Sequence, residues 1–277
     1  MSGTLYLVGT PIGNLGDISP RAAETFESVD FIAAEDTRVT LKLLNHLGIK
    51  KPMVSYYEHN RAESGEKILA RLLNGESCAL ATDAGMPAIS DPGEDLVHLC
   101  GEAGVPVIAI PGPCAAICAL ALSGLPTGRF TFEGFLSTVK KNRYKHLEEL
   151  KNEHRTMIFY EAPHKLKSTL SDMLTYFGDR PITISRELTK LHEETLRFTL
   201  SKAVEYYDTI PPKGEFVLII QGAPIEEEVP LTIEQAMEQV SALMAEGQSL
   251  KDSVKQIAKS TGFPKNKLYD AMLKAQD

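Results

Sequence analysis

Residues 4–15 read TLYLVGTPIGNL, a short apolar segment that runs directly into a loop with two glycines and a proline. An apolar run of this length bounded by Gly and Pro is typical of a buried β-strand. In an open α/β sheet, ligands bind at the loops that follow the carboxyl ends of parallel strands. Gly9 and Gly13 would let a ligand or another loop approach the backbone closely. The loop contains neither G-x-G-x-x-G nor a Walker lysine, so taken alone it fits either a binding loop of another type or a tight turn.

The same alternation of apolar run, loop and amphipathic segment continues through the first half of the chain. Predicted strands cover 4–8, 30–34, 78–81 and 105–110. Predicted helices, recognised by the helical spacing of their apolar residues, cover 20–28, 40–47, 64–74, 93–103 and 115–123. Strands that are buried on both faces are apolar throughout, as these are. The pattern therefore predicts an α/β fold whose mainly parallel sheet is covered by helices on both faces.

The segment GLPTG at 124–128 is the strongest linker signal in the chain. It divides a first α/β domain, 1–124, from a second one, 125–224. In the second domain the predicted strands cover 130–135, 156–160, 182–186, 194–199 and 215–221, and the predicted helices cover 143–152, 165–177 and 201–206. The larger share of strand predicts an α/β domain that is richer in β-structure than the first.

An acidic, proline-bounded linker at 223–230 precedes a small helical extension, 225–277. Its predicted helices cover 233–246, 250–260 and 265–274. The last two are joined by Thr261-Gly262-Phe263-Pro264, so the extension resembles a helix-turn-helix. A plain helical hairpin that packs on the rest of the protein explains the same pattern, because the extension has no marked excess of basic residues.

The composition is that of an ordinary globular protein, with 43% hydrophobic and 24% charged residues among 277. No apolar run reaches the roughly 18 residues that a membrane span needs, and the start of the chain does not resemble a signal peptide, so we expect a cytoplasmic protein. The four cysteines lie in apolar segments and are expected to be reduced. A metal site from Cys114, Cys118 and His98 fits no common ligand spacing, and we expect no metal.

A net charge of −8 argues against a uniformly basic surface for nucleic acid. One local segment, KKNRYKH at 140–146, is basic and contains a tyrosine. Such a segment either contacts phosphates or is the solvated face of a helix. If the protein binds RNA, this patch is the candidate, with Lys140, Lys141, Arg143 and Lys145.

Polar or small residues follow all four predicted strands of the first domain. Glu35-Asp36-Thr37-Arg38 follow the second, TDAGMPAISDPG (82–93) the third and PGPCAA (111–116) the fourth. Charges at the end of an apolar strand need a partner or a ligand. Alternatively, Asp36 or Thr37 caps a helix while Glu35 pairs with Arg38. Because no basic cluster accompanies these turns, an adenosyl group with a zwitterionic tail fits better than a di- or triphosphate.

Seven segments occur in an order that resembles the tetrapyrrole methylase superfamily of S-adenosylmethionine enzymes, in the branch that methylates ribosomal RNA. They are VGTPIGNL (8–15), AEDTR (34–38), TDAGMPAISDPG (82–93), PGPCA (111–115), FYEAPHK (159–165), RELTK (186–190) and GEFVL (214–218). The resemblance covers 5–222, and its strength lies in the ordered set. Cys114 stands where much of the superfamily has a serine.

The resemblance implies two α/β domains of the tetrapyrrole methylase type, with S-adenosylmethionine folded into the cleft between them. The residues that it assigns to the cofactor from the first domain are Pro11, Asp83, Ala84, Gly85, Met86, Ile89, Ser90, Ala115 and Ala116. Those that it assigns from the second domain are Tyr160, Leu188, Glu215 and Phe216. Structural explanations also exist: Ala115 and Ala116 suit helix packing, and Tyr160 suits a core.

A ribose hydroxyl is a poor nucleophile until its proton is removed. The residues that we predict for the acceptor pocket are Glu35, Asp36, Arg38, His59, Arg186, Glu187 and Lys190. Lys190 or Glu187 could take the proton, and Arg38 and Arg186 could bind phosphate. His59 is alternatively a structural histidine.

The resemblance further implies the reaction and the partners. The expected reaction is 2′-O-methylation of a cytidine, number 1402, in the decoding region of 16S ribosomal RNA, within the small ribosomal subunit. A homodimer is also implied. Two alternatives remain at this point: a corrin or porphyrin C-methyltransferase on the same scaffold, and a non-catalytic RNA-binding assembly factor that uses the helical extension.

Overall fold

Five short parallel strands form the first sheet of the protein. A computed structural model describes residues 2–225 and 231–275. In chain order the strands are β1 (Leu5–Val8), β2 (Phe31–Ala34), β3 (Met53–Ser55), β4 (Cys78–Ala81) and β5 (Val107–Ile110). Their order in the sheet is β3-β2-β4-β1-β5. All of their carboxyl ends therefore meet at one edge, which is the edge predicted to bind a ligand.

Helices cover both faces of this first sheet. They are α1 (Pro20–Ser28), α2 (Thr37–Leu47), α3 (Arg61–Leu73) and α4 (Glu94–Glu102). Successive strand side chains point to opposite faces, so Phe31 belongs to one core cluster and Ile32 to the other. All four residues of β2 and all four of β4 are buried. The predicted parallel sheet with helices on both faces is confirmed.

The largest differences from the sequence-based elements have local causes. The strand β3 was not predicted, because it is only three residues long and lies at the sheet edge with half-buried side chains. The helix α2 begins at Thr37 and not at residue 40, because the Asp36 side chain accepts a hydrogen bond from the backbone N–H of Arg38 and caps the helix. The strand β5 begins only at Val107, because Pro106 has no N–H for the ladder.

The second sheet is mixed. Its strands are β6 (Phe130–Phe135), β7 (Thr156–Glu161), β8 (Pro181–Arg186), β9 (Glu194–Thr199) and β10 (Phe216–Ile220), in the order β6-β7-β10-β8-β9. Only β6 and β7 are parallel, and the other neighbouring pairs are antiparallel. The helices are α5 (Ala115–Ser123), α6 (Lys140–Glu149), α7 (Leu166–Phe177) and α8 (Leu200–Thr209).

The helix α5 packs on the second sheet. Its residues Ala119 and Leu120 share a core cluster with Val217 and Ile219 of β10. The alternate residue Leu218 points to the opposite face, into the cluster that holds the residues of α7 and α8. The predicted boundary after residue 124 grouped α5 with the first sheet, whereas its packing places it with the second. Both sheets belong to one compact unit, residues 1–224.

Residues 225–277 form a unit of their own. Its helices are α9 (Ile233–Ala245), α10 (Leu250–Thr261) and α11 (Lys265–Lys274). They share a small core of Ala236, Val240, Val254, Ile257, Leu268 and Met272. Thr232 and Gln235 form a capping box at the start of α9, and Gly262 ends α10 in the left-handed conformation. Of the predicted linker 223–230, residues 226–230 lie outside the described residues. Within the described ranges, no helix combines the length and apolarity required of a bilayer span.

Candidate active site

A cavity of about 330 Å³ lies where the loops of the first sheet face the end of the second sheet. From the first sheet it is lined by the loops after β1, β4 and β5. From the second it is lined by β6, β7 and β10 and by the loops around them. The lining residues are Ile12, Ala84, Gly85, Met86, Ile89, Ser90, Asp91, Cys114, Ala115, Phe135, Tyr160, Glu161, Ala162, Pro163, Glu187, Leu188, Glu215, Phe216 and Val217. Its volume is in the range of small-molecule and cofactor sites.

The arrangement of the loops around the cavity depends on two glycines that no other residue could replace without movement. A Cβ on Gly9, after β1, would lie 2.6 Å from the Cα of Gly112, after β5, and 2.7 Å from the sulfur of Met86. The loop after β4 is tied to the same place, because Thr10 and Gly85 exchange two backbone hydrogen bonds of 2.9 and 3.1 Å. Three loops from three strands are therefore held in one fixed arrangement.

The loop after β4 is strained where it lines the cavity. Ala88 has φ of 66° and Ser90 has φ of 62°, in the left-handed region that residues with a side chain avoid. Such backbone costs on the order of 1–3 kcal/mol per residue and is concentrated at functional sites. Ile89, between them, remains largely exposed although it is apolar. With left-handed backbone on either side of it, the Ile89 side chain lines the cavity. This arrangement is what we expect of a ligand-binding loop.

The loop after β8 closes the cavity from the second sheet. Its residues Glu187 and Thr189 also have positive φ, 50° and 66°. It touches the first sheet at Gly13, where an added Cβ would lie 2.4 Å from Cγ of Lys190. The ammonium group of Lys190 lies 3.0 Å from Glu187 and 2.8 Å from Glu215. Close packing and two ion pairs therefore hold the closing loop in place and maintain its strained backbone.

These ion pairs argue against both predicted proton acceptors, Lys190 and Glu187. Desolvation lowers the pKa of Lys190, but the hydrogen bonds to Glu215 and Glu187 outweigh it and the pKa is raised. Desolvation raises the pKa of Glu187, but Lys190 and the Glu215 N–H outweigh it and the pKa is lowered. Lys190 therefore holds its proton strongly, and Glu187 binds one weakly. Neither is suited to remove a proton near neutral pH.

Tyr160 connects the cavity wall to the start of α5. Its hydroxyl accepts a hydrogen bond of 3.2 Å from the backbone N–H of Ala116, in the first turn of that helix. Its ring packs against those of Phe132 and Phe135, with centroids 5.2 and 5.5 Å away. Burial raises the pKa of Tyr160 to about 12, so the hydroxyl stays protonated. This side chain gives the cavity an aromatic wall in a fixed orientation.

Three carboxyl groups meet at the acidic edge of the cavity, which we define as Glu35, Asp83 and Asp91. The backbone N–H of Asp83 donates to Glu35 over 3.3 Å. Burial, followed by repulsion from Glu35 and Asp83, raises the pKa of Asp91 to about 7. Burial is also the largest cause of the raised pKa values of Glu35 and Asp83. Asp91 lines the cavity itself, so it is a carboxyl group there that changes charge near neutral pH.

The structure corrects the suggested pairing of Glu35 with Arg38. Arg38 instead binds Asp36, through its backbone N–H over 2.8 Å and through its guanidinium Nε over 3.0 Å. These hydrogen bonds lower the pKa of Asp36 to about 2. The Arg38 side chain is 87% exposed. Asp36 is thus a helix cap, and Glu35 remains available to the acidic edge.

Most of the residues predicted for the cofactor line this one cavity. They are Ala84, Gly85, Met86, Ile89, Ser90, Ala115, Tyr160, Leu188, Glu215 and Phe216. The other three lie beside it: Pro11 precedes the lining residue Ile12, Asp83 is in the acidic edge, and Ala116 donates to Tyr160. Their contact with a cofactor stays a prediction.

Lining residues that were not predicted are Ile12, Asp91, Cys114, Phe135, Glu161, Ala162, Pro163 and Val217. All but Phe135 lie inside the seven segments quoted above. The segments therefore indicated which loops line the cavity, but they did not indicate which individual side chains face it.

The residues predicted for the acceptor are more scattered. Glu187 lines the cavity, and Lys190 forms an ion pair with Glu187. Glu35 lies at the acidic edge. Arg186 lines a second cavity, described below. His59 is exposed before α3, and its ring lies 6.3 Å from that of Tyr57. Its side chain does not line the cavity.

The basic segment at 140–146 forms the start of α6, and one of its predicted RNA contacts is wrong. Arg143 is only 6% exposed; its guanidinium lies 2.7 Å from Asp172 and donates to Thr169. A side chain that is buried and paired in this way cannot contact phosphate. Lys140, Lys141 and Lys145 are exposed, so the lysine patch consists of these three. In the described ranges, no three His, Cys, Asp or Glu side chains form a cluster that could hold a metal ion.

Comparison with family models assigns the chain in two parts. Residues 4–204 match the model described as Tetrapyrrole (Corrin/Porphyrin) Methylases. Residues 232–276 match the model described as the RsmI C-terminal HTH domain.

Two of the curated relatives are called "Ribosomal RNA small subunit methyltransferase I". The one from Synechocystis sp. is 50% identical over 275 residues, which is 99% of both chains. The one from Bacillus subtilis is 45% identical over 97% of this chain and 94% of its own.

Solved structures share the fold at much lower identity. A uroporphyrin-III C-methyltransferase from Thermus thermophilus, complexed with S-adenyl homocysteine, superposes with a TM-score of 0.56 at 19% identity, over 79% of this chain and 97% of its own. Cobalt precorrin-4 methyltransferase superposes with a TM-score of 0.59 at 16% identity, over 79% and 94%.

The contact between Gly9 and Gly112 predicts a specific loss of stability. In the Gly9→Ala variant the new methyl group has no space, so the loops must separate, and we expect the free energy of unfolding to fall by about 1–3 kcal/mol. Urea denaturation measures this. The matched control is Gly101→Ala, on the exposed side of α4 with nothing within 4 Å of the new Cβ. It should leave stability unchanged or raise it by up to about 1 kcal/mol. Equal midpoints for the two variants would contradict the packing described here.

Proposed function

The chain belongs to the tetrapyrrole methylase family, and we propose that it transfers the methyl group of S-adenosylmethionine to the 2′-hydroxyl of cytidine 1402 in 16S ribosomal RNA, on the small ribosomal subunit. The observation that carries the proposal is the near-full-length identity of 45–50% to relatives called ribosomal RNA small subunit methyltransferase I. Identity at this level extends through both sheets and the helical extension. The porphyrinoid methyltransferases share the fold at below 20% identity, and such likeness does not carry their substrates.

The cavity suits a ligand with an adenosyl group and a charged amino-acid tail. Tyr160, Leu188 and Val217 offer apolar and aromatic surface for the base. The loop after β4 offers backbone groups and the short side chains of Ala84 and Ser90 for the ribose and the tail. In our proposal, the residues predicted for the cofactor bind it here. When bound, S-adenosylmethionine supplies a methyl group on a positively charged sulfur, which is already activated for transfer.

The protein's own task is to orient the ribose oxygen and to take its proton. We assign the second role to Asp91, which lines the cavity and whose pKa of about 7 is matched to work near neutral pH. Glu35 and Asp83 support it by disfavouring a further negative charge, which makes the Asp91 carboxylate a stronger base. Lys190, with its raised pKa, serves as a fixed positive charge that holds the closing loop.

The lysine patch on α6 is our proposed contact for the RNA backbone, together with the exposed guanidinium of Arg38. Lysine and arginine bind phosphates and position the RNA without reading its sequence. Because the whole chain carries a net charge of −8, local cations of this kind are needed to bring a polyanion to the surface. A homodimer remains a prediction from the family resemblance, and a cytoplasmic location remains a prediction from the sequence.

Isotope-labelled S-adenosylmethionine and small ribosomal subunits that lack the modification test the proposed reaction. We expect label in 16S RNA at one cytidine, and the phosphodiester bond that follows it should resist alkali, because a methylated 2′-oxygen cannot attack the phosphate. Free 16S RNA should be a poorer substrate than the subunit, because the target nucleotide is presented by folded RNA. Label on a base carbon or nitrogen, or no label in the RNA, would contradict the proposal.

The proposed base predicts the pH dependence of the reaction. Below pH 7 Asp91 is protonated and cannot accept the ribose proton; above it the carboxylate is free. In the wild type, kcat/KM should therefore fall as the pH drops below about 7, by up to about tenfold per pH unit. The Asp91→Asn variant should be at least about a hundredfold slower and lack this dependence.

The control for the Asp91 substitution is Asp95→Asn, because Asp95 is exposed on α4 and pairs with Arg61 over 3.0 Å. It should keep the wild-type rate and profile. A wild-type pH profile in the Asp91→Asn variant would reject Asp91 as the base.

A further inference from the structure

A second cavity, of about 280 Å³, lies at the same end of the second sheet as the first cavity but on the α8 side. We call the first one, to which the proposed function assigns S-adenosylmethionine, the donor cavity. Phe216 lines both cavities, and Arg186, which lines the second, directly precedes Glu187, which lines the first. The second cavity is bounded by Tyr206 and Tyr207 of α8 and by the Pro211-Pro212 turn that follows it. We call it the tyrosine cavity. The two cavities are therefore neighbours, and the ends of β8 and β10 lie between them.

Tyr207, which lines the tyrosine cavity, has a hydroxyl group without a partner among the described residues. Tyr207 is 3% exposed, and its hydroxyl makes no hydrogen bond to any described residue. A buried hydroxyl without a partner costs about 1–3 kcal/mol, so such groups are rare in folded proteins. Burial raises the pKa of Tyr207 to about 12, so the hydroxyl is available as a donor.

An arginine and a glutamate complete the polar side of the tyrosine cavity. Nε of Arg186 donates to Oε2 of Glu194 over 2.7 Å. This single contact leaves both terminal nitrogens of Arg186 and Oε1 of Glu194 without a hydrogen bond to the described parts of the chain. Both side chains are partly exposed. The ion pair thus fixes the two groups side by side while donors and an acceptor remain free.

Three aromatic side chains, Tyr206, Tyr207 and Phe216, form much of the rest of the wall, beside Ile210, Pro211 and Pro212. Ring centroids follow one another at 5.2 Å from Phe198 to Tyr206, 5.0 Å to Tyr207 and 5.9 Å to Phe216. Aromatic walls with a few fixed polar groups are how proteins hold an unstacked nucleobase, since the ring faces stack and the polar groups read the base edge. Lys213, at the exposed rim, is placed for a phosphate.

We propose that the tyrosine cavity binds a cytosine of the RNA substrate, on a nucleotide beside the one that is methylated; this rests on the proposed function above. Oε1 of Glu194 accepts a hydrogen bond from the exocyclic amine of the base, and the terminal nitrogens of Arg186 donate hydrogen bonds to its ring nitrogen and carbonyl oxygen. The Tyr207 hydroxyl, which otherwise has no partner, donates a hydrogen bond to the same carbonyl oxygen. Uracil, which has a carbonyl in place of the amine and an N–H in place of the ring acceptor, mismatches both charged groups.

Binding of short end-labelled oligonucleotides to the full chain tests the proposal, with saturating S-adenosylhomocysteine present to occupy the donor cavity. We expect the wild type to bind oligocytidylate about tenfold more tightly than oligouridylate. The Glu194→Gln variant should lose this preference, because its amide can also donate to the uracil carbonyl. Tyr207→Phe should weaken oligocytidylate binding by about fivefold, without loss of stability, because it removes an unsatisfied hydroxyl.

The matched control is Tyr176→Phe, on α7 beside Tyr144 and away from the cavity, which should bind both oligonucleotides as the wild type does. No binding of oligocytidylate, equal affinities in the wild type, or an unchanged preference in Glu194→Gln would overturn the proposal. Methylation of the small subunit, measured in parallel, separates the two claims. Methyl transfer without the base preference rejects the cavity's role alone, and a base preference without methyl transfer rejects the proposed function.

Discussion

The close contact between the backbones of Gly9 and Gly112 is the constraint on which the site depends. It brings the loops after β1 and β5 together at the carboxyl edge of the first sheet, with no space for a Cβ on Gly9 or on Gly112. The loop after β4 joins them through its paired hydrogen bonds with Thr10. At Gly13 the same first loop lies directly against the closing loop of the second sheet. The cavity exists because small residues permit these approaches at the tips of the strands.

This rigid frame allows the protein to hold both strain and charge near the reaction. Left-handed backbone at Ser90 and Glu187 persists because the surrounding loops are fixed by packing and ion pairs. Burial, followed by repulsion from Glu35 and Asp83, raises the pKa of Asp91 to about 7. On the other side Lys190 forms ion pairs with both Glu187 and Glu215. The cavity therefore has one wall whose charge is fixed and one edge whose charge varies with pH.

Much of the fold was predictable from the sequence, because buried parallel strands are recognisable as apolar runs that end in Gly, Pro or Asp. The ordered segments also indicated the family and most of the residues around the cavity. Contacts between distant residues were not predictable. Arg143 was expected on the surface, but Asp172 and Thr169 of α7 bury it. Likewise, the packing of α5 on the second sheet depends on tertiary contacts. The raised pKa of Asp91 results first from its burial and then from repulsion by Glu35 and Asp83, and burial is not visible in the sequence.

The most direct test is a crystal structure with bound S-adenosylhomocysteine, the product of methyl transfer. The account predicts electron density for the ligand in the cavity formed by the loops after β1, β4 and β5 and closed by the loop after β8. Tyr160 and Leu188 should contact the adenosyl group, and the sulfur should lie within reach of the Asp91 carboxyl group. Density elsewhere on the molecule, with this cavity free of ligand, would contradict the account.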